Sequence, residues 1–230
     1  MSDLHSIESA SQDPPRNVPR SMDAALASLL RIPGLWRGRQ TAAAGADTCS
    51  TGFAALDAAL PGGGWPRSGL VEILTLRHGL GELRLLVPLL ASLAQRTPAR
   101  WTAWIAPPFE PYAPALAARG LAIERQLVVR AGAELWALEQ ALGSGACEVA
   151  LAWTGRTPPV RSLRRLQLAT ERGRTAGFLF RPSRAARQAS PAVLRLSLTP
   201  LANGAGVSIE LLKSRGGARG VVELHWAGAT

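Results

Sequence analysis

The sequence predicts an α/β protein: a mostly parallel sheet flanked by helices, with antiparallel strands at its C-terminal edge and a helical arm at its N-terminus. Two observations carry that reading. Between residues 70 and 180, apolar runs of strand length alternate with segments of helical period, the pattern of parallel strands covered by helices. After residue 190 the pattern changes to three runs that alternate residue by residue, joined by Asn203-Gly204 and Gly216-Gly217, which reads as antiparallel strands linked by tight turns.

Residues 1–21 are polar and Pro-rich and are expected to lack order. Leu26, Leu29 and Leu30 recur with helical period in residues 22–31, Pro33 and Gly34 end that helix, and a Gly- and Ala-rich linker runs to residue 50, so that residues 22–50 form an arm and linker. The core is assigned to residues 51–200. Thr51 can cap a short helix over residues 54–60, which stops at Pro61 and three glycines. A strand follows over residues 70–76, then a helix over 82–95, a strand over 101–106, a helix over 112–119 ended by Gly120, and a short strand over 127–130. A helix over 133–142, a strand over 147–153, an Arg-studded helix over 160–171 and a strand over 176–180 complete the alternation. A polar loop spans 181–190, and the alternating runs are 193–198, 207–212 and 221–226; residues 201–230 form the edge hairpin and a basic tail of the same domain.

Composition removes several function classes. No apolar run approaches the roughly 20 residues of a membrane span, and no apolar signal segment opens the chain, which places it in the cytoplasm with no membrane partner. Cys49 and Cys147 make no metal pattern, and His5, His78 and His225 lie too far apart for ligand spacing. The net charge of +10 is uneven: residues 1–150 hold 13 basic and 13 acidic residues, whereas residues 151–230 hold 13 basic and 3 acidic. Such a run is either a solvated face or an electrostatic footprint for nucleic acid or an acidic protein patch.

A phosphate-binding loop needs glycines after a buried strand and before a helix, where backbone N–H groups and the positive helix end surround the anion. Gly62, Gly63 and Gly64 precede the strand and read as a turn. Gly79 and Gly81 stand in the right place, but Glu82 and Leu83 occupy the positions that a phosphate lysine and a metal-binding hydroxyl require. A carboxylate there suits the helix dipole and repels phosphate, so no nucleotide cofactor is expected.

Ser50-Thr51-Gly52, Leu56-Asp57, Leu60, Gly63-Gly64, Pro66, Gly69 and Val71-Glu72-Ile73 resemble, in order and spacing, the segment leading into the nucleotide loop of RecA recombinases. The strand through Val149 and Leu151 resembles the RecA strand that ends in a Mg²⁺-associated aspartate, but Trp153 stands there. The acid expected past residue 106 is replaced by Pro107, Pro108 and Phe109. A closer resemblance is to the ImuA family of RecA-like accessory proteins in damage-induced mutagenesis, itself related to the cell-division inhibitor SulA. It rests on Leu35-Trp36-Arg37-Gly38, on residues 60–66, on Gly81-Glu82-Leu83, on residues 164–169, on Phe178-Leu179-Phe180-Arg181 and on Leu211-Leu212-Lys213.

That resemblance implies a non-catalytic RecA-like protein of SOS-induced translesion synthesis, partnered with RecA, an ImuB-type adaptor, an error-prone DnaE-type polymerase and single-stranded DNA. The alternative is a SulA-like inhibitor acting by protein contact, and an ATPase is a third class. On the RecA-like reading the loops after residues 153 and 180 face DNA, making Arg156, Arg161, Arg164, Arg165, Arg181, Arg184 and Arg187, with Lys213 and Arg215, the candidate contacts; Leu26, Leu29, Leu30 and Leu35 form a stripe that either docks on RecA or packs in cis. Trp153 is expected to plug the vacant pocket. The other tryptophans suit core packing better than a base-stacking platform. Arg77 and Arg84, beside the altered loop, are either anion contacts or surface arginines.

Overall fold

The computed structural model describes residues 47–130, 132–214 and 219–226; the expected arm, its leucines, Trp36 and Arg215 lie outside them. Two short strands, β1 (Thr48–Cys49) and β2 (Trp65–Pro66), pair antiparallel and enclose helix α1 (Ala54–Ala59) and a tight turn over Pro61–Gly63. The main elements then follow as β3 (Gly69–Thr75), α2 (Val87–Ala94), β4 (Trp101–Ile105), α3 (Ala113–Ala117), β5 (Gln126–Val129), α4 (Glu134–Gly143), β6 (Cys147–Trp153), α5 (Val160–Gly173) and β7 (Ala176–Pro182). After a single-turn helix over Ser183–Arg187 come β8 (Leu194–Pro200), β9 (Gly206–Ser214) and β10 (Val221–His225). Among the described residues the sheet has eight strands in the order β10-β9-β8-β3-β7-β6-β4-β5. This is the mixed α/β architecture the alternation predicts.

β3 is buried along its whole length, Glu72 and Thr75 included, because it lies at the centre, parallel to both β7 and β8. Val71 and Ile73 join one core with Trp65, Trp104, Trp153, Phe178 and Phe180, while Leu70 joins a second core with Leu138, Leu163 and Leu179 from α4, α5 and β7. Alternation alone predicts three antiparallel edge strands; β8 instead runs parallel to β3, and only its pairing with β9 and that of β9 with β10 are antiparallel.

Two helix starts differ from expectation. At α1 the side chain of Thr51 bonds to the backbone of Phe53 rather than into the helix, and Asp57 reaches back to take the Thr51 N–H at 2.7 Å and the Ser50 hydroxyl at 2.6 Å. The helix expected from residue 82 begins at Val87, because the Glu82 side chain bonds the backbone before it and holds residues 82–86 in turns.

Candidate functional site

At the carboxyl ends of β3, β4 and β6 lies a groove of about 370 Å³. Trp104 and Trp153 form part of its lining from within the sheet, Gly79 with Gly81 to Arg84 form one wall, and Pro107 to Tyr112 with Leu116 form the other. Carboxyl ends of parallel strands are where loops in open α/β sheets meet ligands. Here the lining is mainly apolar. Phe109 and Tyr112 are each 70% exposed, and Leu76, on the loop after β3, is 71% exposed.

Two amides of the loop beside this groove are already taken. Glu82, only 4% exposed, accepts the N–H groups of Gly79 and Leu80, each at 2.7 Å. Gly79 and Gly81 supply the positive φ values, 81° and 99°, that turn the chain back on itself, and the ring of Trp226 leaves no room for a side chain at Gly81. The carboxylate thus fills the position an anion would take on these amides. Arg84, considered as an anion contact, lies over the Trp226 ring at 4.7 Å, while Arg77 is exposed.

Trp153 ends β6 and is stacked on both sides, against Phe180 at 4.5 Å and Trp104 at 6.1 Å, with interplanar angles of 11°. Trp104 and Trp153 of this stack line the groove, while Phe180 lies wholly buried behind Trp153. Trp65 and Trp226 are also buried, whereas Trp101 and Trp136 are exposed, so core packing does not account for every tryptophan.

The structure divides the candidate arginines. Arg181 was expected on an exposed loop. It is instead the penultimate residue of β7 and wholly buried, donating to Glu72 Oε1 at 2.8 Å and to Gln188. Glu72 also accepts from Arg195 at 2.7 Å and from the Ser190 hydroxyl at 2.8 Å. Arg195 in turn donates to the carbonyls of Ala185 and Ala186, so this buried cluster holds the Ser183–Arg187 turn against the sheet. Arg165 pairs with Glu139 at 2.6 Å, and Lys213 donates to the Ser190 carbonyl at 2.8 Å.

Arg156, Arg161, Arg164, Arg184 and Arg187 are exposed. Arg184 donates to the Gly155 carbonyl at 2.7 Å, which ties the loop after β7 to the loop after β6. Sequence reasoning missed Phe109 and Tyr112, treating the first only as the absence of an acid. The available signal was the run Pro107-Pro108-Phe109-Glu110-Pro111-Tyr112, where prolines stiffen a loop bearing two aromatic rings.

Residues 72–177 match the family model described as cell division inhibitor SulA. The chain is 36% identical over 123 residues to cell division inhibitor SulA of Edwardsiella piscicida, an alignment covering 51% of this chain and 70% of that protein. It is also similar to the crystal structure of SulA from Pseudomonas aeruginosa, at 28% identity and a TM-score of 0.41, covering 49% of this chain and 97% of that one. The family-model and relative matches overturn the ImuA assignment. With it go the translesion role, the reading of the Gly79–Leu83 loop as a nucleotide-loop remnant, and RecA, the ImuB-type adaptor, the polymerase and single-stranded DNA as partners.

Proposed function

We propose that this chain, which belongs to the SulA family of cell division inhibitors, stops division by binding a protein of the division machinery through the groove at the carboxyl ends of β3, β4 and β6. The observation that supports this use of the groove is its combination of exposed aromatic rings with amides closed by its own carboxylate. Phe109 and Tyr112 offer large, stiff apolar surface, the kind of side chain that anchors protein interfaces, while Glu82 denies the loop to a phosphate-bearing substrate.

On this reading the protein works by occupancy and needs no catalytic residue. The sheet is read as an inactive RecA-like body in which Trp104 and Trp153 line the groove, and the site of action is the cytoplasm; no described helix is long and apolar enough to cross a membrane. Induced synthesis in a rod-shaped bacterium tests the function. Cells should continue to grow and replicate DNA while failing to septate, so that mean cell length rises several-fold; unchanged length at high soluble protein refutes it.

A further inference from the structure

Taking the groove as the partner surface, we propose that the bound protein carries an acidic segment beside its apolar contact, and that Arg156, Arg161, Arg184 and Arg187 receive it. The placement comes from the sheet. β6 brings Trp153 to the groove and runs directly into the loop bearing Arg156, and β7, its neighbour, runs into the turn bearing Arg184 and Arg187. Arg161 lies in the first turn of α5, which follows the same β6 loop.

These loops are ordered against each other. Besides the Arg184 bond to Gly155, the Gln188 amide donates to the Pro158 carbonyl at 2.6 Å, and the buried Glu72 cluster fixes the turn from beneath. Glu134 reaches the same region, but its carboxylate accepts from the Thr154 hydroxyl at 3.4 Å. Among the described residues none of the four arginines forms an ion pair within the chain. Like charges on loops tied to each other repel one another, and carboxylates presented by a partner relieve that repulsion while matching the guanidinium fork. Complementary charge beside an apolar anchor also speeds docking and fixes its orientation. An acidic protein segment fits these arginines better than nucleic acid because β6 leads from Trp153 in the apolar groove straight into the loop bearing Arg156, and a phosphate backbone has no use for such a groove.

The test is cell length against inducer dose for Arg156→Glu with Arg184→Glu and Arg187→Glu, beside the corresponding triple lysine variant. Charge reversal should raise the dose for filamentation about tenfold, and lysine should stay within a few-fold of wild type. Should the triple reversal fail to fold, Arg156→Glu with Arg187→Glu decides, since neither side chain has a described hydrogen bond. Filamentation by the charge-reversed protein at the wild-type dose overturns the acidic segment while leaving the groove intact, provided Phe109→Asp with Tyr112→Asp is inactive. A wild-type protein that leaves cell length unchanged removes both. Arginine-dependent retention on an oligo-dT column, with filamentation unaffected by charge reversal, assigns the arginines to nucleic acid and also overturns the proposal.

Discussion

Replacing Glu72 by Ala should be among the most damaging single changes in the core. The carboxylate is fully buried and accepts three hydrogen bonds, at 2.7 to 2.8 Å, from Arg181, Ser190 and Arg195. Removing it leaves two guanidiniums, 0% and 6% exposed, with no counter-charge. Breaking a buried ion pair from one side costs about 3–5 kcal/mol. Against a total stability of roughly 5–15 kcal/mol, that is a large fraction. At roughly 3 °C per kcal/mol for a domain of this size, the melting temperature should fall by about 10 °C. The reverse change is different in kind. The cluster has two cations for one anion, and Arg181 Nε is buried without an acceptor, so Arg181→Met removes excess charge and leaves Glu72 paired with Arg195. Its cost should stay within about 2 kcal/mol. Urea titration followed by tryptophan fluorescence measures both. A Glu72→Ala cost under about 1 kcal/mol, or an Arg181→Met cost equal to it, refutes the reasoning.

Mg-ATP should give no binding isotherm in calorimetry, because a phosphate must displace Glu82 from the Gly79 and Leu80 amides; a low-micromolar affinity, about −8 kcal/mol, contradicts this. Arg174 ends α5 at φ 50°, so Arg174→Gly should stabilise the fold by about 0.5–1 kcal/mol, and a loss of stability shows that its side chain is needed. Burial pushes the Cys147 thiol above its ordinary value, as it does for Cys49, where Arg96 opposes the shift and Glu148 and Asp47 add to it. The unfolded thiols therefore lose protons first. The associated stability is intact below the unfolded thiol pKa, about 8.5, and declines as pH rises beyond it; between neutral and strongly alkaline pH the urea midpoint of wild type should fall more steeply than that of Cys147→Ala, and equal slopes contradict this.

The central architecture was legible because buried parallel strands are predominantly apolar, with single acids such as Glu72 and Glu148 inside them: residues 147–153 form β6 at the expected bounds, and residues 70–76 differ from β3 by one residue at each end. Strand neighbours were not legible. The alternation of residues 193–198 states that one face is more buried than the other, not that β8 lies parallel to β3. Arg181 was misplaced for a related reason: in the linear chain it begins a polar stretch, and only the lateral register of β7 and β8 on β3 brings it to Glu72 together with Arg195. The site was half legible. The sequence singled out Glu82 beside Gly79 and Gly81, but not that its carboxylate bonds back to the Gly79 and Leu80 amides, which is a property of the folded loop. The aromatic rim was overlooked because Phe109 and Tyr112 follow no secondary-structure period, and exposure of a ring on a Pro-stiffened loop is a tertiary property.

The most direct measurement compares cell length after induction of two double variants at matched soluble levels. One is Phe109→Asp with Tyr112→Asp, at the groove; the other is Trp136→Asp with Leu168→Asp, which changes exposed apolar residues of α4 and α5. If the groove binds the division protein, the first variant leaves cells at normal length and the second produces filaments as wild type does. Filaments from the groove variant, or their loss only in the helix-face variant, would contradict that assignment.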